Sequence, residues 1–161
     1  MNTDVPSTDF SIRRARLDDL SDLVSLLGAA VPDCLPETVW QLPWTWHDYV
    51  VARDERGTLV AAGSLQRVDR RRAEIRGLTV AEGQRGRGLA SSVIRTLMRI
   101  ADRRGLDIVC VTRKPEFFAR FGFHATPPDW LQVERRLSPV KAPERRVAMS
   151  ALAPARSGRA A

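Results

Sequence analysis

A glycine-arginine stretch near the middle of the chain has the residue types needed to bind a phosphate group. It reads QRGRGLA from Gln84 to Ala90 and lies between an apolar run and a helical pattern. Gly86 and Gly88 let backbone N–H groups approach a ligand without interference from a Cβ atom. Unpaired N–H groups and the dipole at the start of the following helix favour an anion such as a diphosphate. The pattern therefore predicts an anion site at a helix N-terminus, and a tight strand–helix turn without a ligand is the alternative.

Other phosphate-binding motifs match this stretch less well. A P-loop needs a lysine directly after its second glycine, but Leu89 follows Gly88. A dinucleotide-binding fingerprint needs a third glycine at the position that Ser91 occupies. An arginine-glycine segment of the nucleic-acid-binding kind would be repeated. This one occurs once and precedes a strongly amphipathic helix, so the glycines carry the prediction.

Two charged residues precede the stretch on the same predicted strand. Glu74 and Arg76 lie in segment 71–80, which reads RRAEIRGLTV. In an extended strand, Leu78 and Val80 project to the same side as these two residues. A carboxylate in a cleft can act as a general base, and a guanidinium can bind a carboxylate through two hydrogen bonds. An ion pair between Glu74 and Arg76 is the structural alternative.

Hydrophobic periodicity and turn residues predict the elements that position these side chains. Leu20, Leu23, Val24 and Leu27 share one face of a helix that Asp18 or Asp19 can cap and Gly28 can end. The predicted order is strand, two helices, three strands, helix, strand, helix and two strands. The strands are expected at 10–16, 48–53, 58–67, 71–80, 106–112, 121–125 and 129–137, and the later helices at 88–104 and 115–121.

Composition indicates a single globular domain. The chain has 161 residues, of which 43% are hydrophobic and 28% are charged. Its N-terminal segment lacks a signal-peptide pattern, and no apolar run approaches the ~20 residues of a membrane helix. Cys34 and Cys110 show no metal-ligand spacing. We therefore expect a cytoplasmic protein with reduced thiols, no metal site and no membrane partner.

The net charge of +7 is concentrated near the C-terminus. Residues 138–161 carry four of the seven net positive charges and are rich in alanine, proline and serine. We expect three regions: a flexible N-terminus at 1–9, a folded domain at 10–137 and a disordered basic tail at 138–161. The low net charge of the folded part argues against nucleic acid as a partner.

The quoted residues resemble the GCN5-related N-acetyltransferase (GNAT) superfamily. Residues 85–90, RGRGLA, match its pyrophosphate-binding pattern [QR]-x-x-G-x-[GA], and FFARFGF at 117–123 is similar to its late helix and terminal Gly-Phe. The similarity covers about residues 10–137. It implies acetyl-CoA as the cofactor and a mixed α/β fold with a central, mostly antiparallel sheet flanked by helices. In that fold the sheet is splayed between strands 73–80 and 106–112, and the cofactor binds in the splay.

A narrower similarity concerns the acceptor. RRAR near the N-terminus, EIR-x-x-x-V and EFFARxGF resemble the GNAT-type amino-acid N-acetyltransferases that form N-acetylglutamate. The chain departs from that group between 29 and 50, where Trp40, Trp44 and Trp46 occur. The resemblance implies acetyl transfer to a primary amine of a small molecule such as an amino acid, by a monomer or homodimer. The alternatives are a protein or peptide N-acetyltransferase and a non-catalytic acyl-CoA-binding or nucleic-acid-associated module.

The resemblance also implies the site residues. Glu74 is the candidate general base, and Arg76 is the candidate cation for an acceptor carboxylate. The candidate cofactor contacts are Leu78, Thr79, Val80, Arg85, Gly86, Arg87, Gly88, Leu89, Ala90, Ser91 and Phe118. Phe118 occupies the position at which many members carry a tyrosine that protonates the leaving thiolate, so this position supplies no general acid.

Overall fold

A computed structural model describes residues 10–30, 39–125 and 147–151. The strands are β1 (Phe10–Arg14), β2 (Tyr49–Asp54), β3 (Leu59–Arg67), β4 (Arg72–Val80), β5 (Asp107–Thr112), β6 (His124–Ala125) and β7 (Val147–Ala151). The α-helices are α1 (Leu20–Ala29), α2 (Leu42–Thr45), α3 (Leu89–Arg104) and α4 (Pro115–Ala119). From β1 to β6 the order of these elements is the one that the sequence predicts.

All seven strands belong to one sheet, in the order β1-β2-β3-β4-β5-β7-β6. The pairs β1–β2, β2–β3, β5–β7 and β6–β7 are antiparallel, whereas β4 and β5 are parallel. A parallel pair needs a long crossover connection, which α3 supplies. The predicted fold class, a mixed α/β structure with a mostly antiparallel sheet flanked by helices, is confirmed.

The C-terminal prediction needs a correction. Val147–Ala151 lies inside the segment expected to be a disordered tail, but it forms β7 between β5 and β6. Met149 and Ser150 are buried there. The composition of segment 138–161 predicts disorder and does not indicate this five-residue strand, because the partner strands are distant in sequence. The described residues leave out 1–9, 31–38, 126–146 and 152–161. The strand expected at 129–137 falls within the third of these segments.

Helix α1 also differs from its prediction in detail. It continues through Gly28 and ends at Ala29, because Gly28 keeps a helical backbone. Leu23 and Leu27 are fully buried as expected, but Val24 is 42% exposed. The buried face is therefore narrower than the periodicity predicts. No helix among the described residues is long and apolar enough to cross a membrane.

The chain divides into two compact units, Met1–Gln66 with Arg76–Met98 and Arg67–Ile75 with Arg99–Ala161. In the first, α1, α2, β2 and β3 enclose a buried cluster that includes Leu23, Leu27, Leu42, Tyr49 and Val51. On β3, a Cβ atom placed on Gly63 would lie 3.0 Å from Val93 Cγ1, 3.2 Å from Leu78 Cδ1 and 3.3 Å from Leu97 Cδ1. Because these contacts are closer than side chains normally tolerate, β3 needs a residue without a side chain at this point.

A buried carboxylate connects β1, β2 and the start of α1. Asp19 is 1% exposed. Its oxygens accept hydrogen bonds from Arg13 at 2.7 and 2.9 Å and from Arg53 at 2.6 and 3.1 Å. The backbone N–H of Arg16 donates a further bond of 2.7 Å. Burial alone would raise the pKa of Asp19, but these donors outweigh it and hold that pKa well below its usual range.

Candidate active site

The glycine loop between β4 and α3 has the conformation that the motif predicts. Gly86 has φ of +78° and Gly88 has φ of +76°, a region that residues with a Cβ atom rarely adopt. A Cβ atom added to either glycine would meet nothing within 4 Å, so open space borders the backbone here. The loop can therefore admit a ligand close to its backbone.

The start of α3 supplies the donors. The N–H of Ser92 bonds to the carbonyl of Gly88 at 3.0 Å and closes the first turn. The N–H groups of Leu89, Ala90 and Ser91 precede that bond, so they have no acceptor within the helix. α3 contains 16 residues, which is long enough for a substantial dipole. These donors and the open space suit a diphosphate.

The side chains around the loop have different environments. Leu89 is 3% exposed and packs in the core, so only its backbone can face a ligand. Ala90 and Ser91 are half-buried, whereas Arg85 and Arg87 are exposed. The guanidinium of Arg87 lies over the ring of Phe10 and donates to Gln84. Nothing in the sequence pattern singles out Phe10 as a neighbour of this loop.

Strand β4 carries the next group of predicted residues. Gly77 has φ of +59°, which interrupts the regular alternation of the strand. The alternation that would aim Glu74, Arg76, Leu78 and Val80 to the same side is therefore interrupted between Arg76 and Leu78. Leu78 packs beside Gly63, whereas Arg76 and Val80 are half-buried and Thr79 is 7% exposed. The carbonyl of Arg76 accepts a 3.1 Å hydrogen bond from Ser64 Oγ.

Glu74 belongs to the second unit and is buried, with 5% of its surface exposed. It lies opposite Val109 in the parallel register of β4 and β5, and the next position pairs Ile75 with Cys110. Burial, together with the charge of Glu74, raises the pKa of the Cys110 thiol to about 12. A thiol with so high a pKa is a poor nucleophile at neutral pH, so Cys110 has a structural role.

Phe118 also belongs to the second unit. It is 6% exposed, and its ring makes edge contacts with Phe117 and Phe123, both at 5.4 Å between ring centres. The residue at the position of the family's tyrosine is thus part of an aromatic cluster. It has no group that can donate a proton.

The three tryptophans between residues 29 and 50 differ in their burial. Trp46 packs against the buried cluster around Leu42, as a core residue would. Trp40 is 79% exposed and Trp44 is 75% exposed, so neither of these two packs in a core. They are four positions apart, and their indole rings are available to a partner.

Comparison with known proteins assigns the chain to a family. The model of the acetyltransferase (GNAT) family matches residues 17–123, and the chain belongs to this family. Membership confirms the resemblance inferred from the glycine motif and the predicted cofactor, acetyl-CoA. It also establishes the protein as an acetyltransferase.

Solved structures share the fold. Rv2747 from Mycobacterium tuberculosis, solved in complex with CoA, has a TM-score of 0.76 and 20% identity over 88% of this chain and 98% of its own. N-acetylglutamate synthase from Neisseria gonorrhoeae, complexed with coenzyme A and N-acetyl-glutamate, has a TM-score of 0.77 and 18% identity over 89% of this chain. This chain spans 35% of that synthase. Ard1 from Thermoplasma volcanium has a TM-score of 0.70 and 15% identity, over 90% of this chain and 98% of its own.

Proposed function

We propose that this acetyltransferase moves the acetyl group of acetyl-CoA to the primary amine of a small molecule such as an amino acid. The observation that carries the proposal is that the candidate base, the glycine loop and α3 follow one another along a single segment of the chain. Buried Glu74 lies on β4, and β4 leads through the open glycine loop into α3. The similarity in fold to N-acetylglutamate synthase supports an amino acid as acceptor.

The loop and the start of α3 would hold the diphosphate of the cofactor. Gly86 and Gly88 leave room for it, and the N–H groups of Leu89, Ala90 and Ser91 would donate to its oxygens. The backbone of Leu78, Thr79 and Val80 would bind the pantetheine amides and the thioester carbonyl. Bound acetyl-CoA supplies the acetyl group in activated thioester form.

Glu74 would act as the general base. An amine that attacks a carbonyl must first lose a proton, and the Glu74 carboxylate would accept that proton directly or through a water molecule. Because Phe118 cannot donate a proton, the proposed reaction proceeds without a tyrosine acid. Arg76 would bind the carboxylate of an amino-acid acceptor through its guanidinium.

Thermal unfolding with and without CoA tests the cofactor site. CoA should raise the Tm of the wild-type protein, and Gly88→Glu should abolish that shift by filling the space beside the loop and adding a negative charge. Gly105→Glu is the matched control, since Gly105 also has a positive φ, of +64°, and follows the opposite end of α3 from the loop. A wild-type CoA shift in Gly88→Glu would contradict the assignment.

A peptide amine is the second candidate acceptor, and the exposure of Trp40 and Trp44 favours it. Large exposed aromatic side chains are common where a protein grips a partner chain. CoA release should be screened with amino acids, polyamines and peptides, with Arg76→Met measured beside the wild type. Loss of turnover with amino acids in Arg76→Met supports the small-molecule acceptor. Turnover with peptides alone, independent of Arg76 but lost in Trp40→Ala, would replace it.

A further inference from the structure

The tip of the glycine loop contacts the edge strand of the sheet. The guanidinium carbon of Arg87 lies 4.5 Å from the centre of the Phe10 ring. Its Nη1 donates a 2.7 Å hydrogen bond to Oε1 of Gln84. A cation at this distance over an aromatic face is attracted by the electrons of the ring. Arg87 therefore joins the tip of the loop both to the earlier part of the loop and to β1.

The course of the loop explains why such a contact matters. The loop begins where the N–H of Ala81 bonds to the carbonyl of Val60 on β3 at 2.8 Å, and a turn follows in which Gln84 N–H bonds to Ala81 at 3.0 Å. β3 and β2 separate β4 from β1 in the sheet, so the loop crosses the ends of two strands before it reaches Phe10. Segment 83–88 contains three glycines, whose backbones lose much conformational freedom when they become ordered.

We propose that Phe10 and Arg87 are positioning residues for the cofactor, and that Arg87 is not a direct phosphate ligand. Their stack holds the loop in its binding conformation, with the N–H groups at the start of α3 in place before CoA arrives. The affinity for CoA increases because the loop is already ordered in the free protein, so less conformational entropy is lost on binding. The inference rests on the proposed function, since it takes the loop and the start of α3 as the diphosphate site.

Positioning and direct binding predict different patterns of mutational effects. If Arg87 bound a phosphate, its loss would weaken binding more at low salt than at high salt, and Phe10 would not matter. If the stack positions the loop, loss of either partner removes the same interaction. The double variant should then bind CoA no more weakly than the more affected single variant.

Titration calorimetry of the full-length protein with CoA tests the proposal. Phe10→Leu and Arg87→Met should each raise the Kd for CoA about two- to fivefold, and the double variant by no more than that. Phe10→Tyr keeps an aromatic face under the cation and should restore the wild-type Kd. In turnover assays the loss should appear in KM for acetyl-CoA rather than in kcat. Arg103→Met is the charge control, because it removes an exposed arginine from the last turn of α3, at the opposite end of that helix from the loop.

Two results would overturn the inference. One is wild-type affinity in Phe10→Leu together with a salt-dependent loss in Arg87→Met, which would make Arg87 a phosphate ligand. The other is a double variant whose loss is the product of the two single losses. Gly88→Glu separates this inference from the proposed function. If Gly88→Glu still binds CoA, the cofactor site itself is wrong, whereas failure of the stack variants alone leaves that site intact.

Discussion

Replacement of Asp19 by asparagine tests the ion network that joins β1, β2 and α1. The Asp19 carboxylate receives five hydrogen bonds, from Arg13, Arg53 and the backbone of Arg16. Asparagine keeps the shape but turns one oxygen into a donor that faces other donors. It also removes the negative charge between two guanidinium groups whose side chains are 32% and 18% exposed.

The expected cost of Asp19→Asn is about 3 kcal/mol in the free energy of unfolding. Loss of one partner from a buried ion pair costs about 3–5 kcal/mol. The lower end of this range applies to Asp19→Asn because Arg53 keeps its 2.7 Å contact with Asp22 and Arg13 is partly solvated. With a urea m-value of about 2 kcal/mol/M, the unfolding midpoint should fall by about 1.5 M.

Asp22→Asn is the matched control. Asp22 contacts the same arginine, but its side chain is 51% exposed, so its loss should cost under about 1 kcal/mol. Urea unfolding curves for the wild type and both variants supply the comparison. Equal midpoints for Asp19→Asn and Asp22→Asn would refute the argument that burial makes Asp19 the centre of the network.

The low pKa of Asp19 gives the network a pH dependence with a definite sign. In the unfolded chain the carboxyl has its ordinary pKa of about 3.9, so below that pH the unfolded state binds a proton that the folded state excludes. The stabilisation is therefore complete above about pH 5 and declines by up to about 1.4 kcal/mol per pH unit in more acidic solution. The difference in stability between wild type and Asp19→Asn should shrink as the pH is lowered from 6 to 3, and a constant difference would contradict the assignment.

Three further outcomes are expected. Gly63→Ala should destabilise the protein by about 1–3 kcal/mol in urea unfolding because its added Cβ overlaps packed side chains, whereas Gly28→Ala in α1 should stabilise it by about 0.5–1 kcal/mol. In a Cys34→Ser background, Cys110 should resist iodoacetamide at mildly alkaline pH and react on unfolding, because burial keeps its thiol protonated. Rapid labelling of the native protein would contradict this. Glu74→Gln should lower kcat about a hundredfold near neutral pH and less at high pH, where the amine is already deprotonated, and an unchanged pH–rate profile would make Glu74 structural.

Local sequence signals predicted much of the fold. The order of strands and helices from β1 to β6 and the glycine loop before α3 follow from patterns that act within a few residues. Apolar periodicity determines which face of a segment can be buried, and glycines mark where the backbone must turn. The candidate cofactor loop can be predicted from Gly86, Gly88 and the helix that follows, because these signals are contiguous along the chain.

The positions of the exposed tryptophans and of Gly77 did not follow from such signals. Trp40 and Trp44 are apolar, yet whether an apolar side chain is buried depends on which element covers it. The sequence does not distinguish Gly77 from other glycines in strands, because its positive φ depends on how the neighbouring strands pair. The same reason explains β7, since Val147–Ala151 becomes a strand only where β5 and β6 supply its hydrogen-bonding partners.

The sequence by itself predicts the kind of site in this protein: a backbone cradle for a diphosphate, preceded by a strand that carries a carboxylate. Only the tertiary structure decided how that cradle is held. Phe10 and Arg87 are 77 positions apart in the chain, and Asp19 and Arg53 are 34 apart. Contacts between such distant residues leave no periodicity or spacing in the sequence, because they arise only when the sheet brings separate strands and loops together.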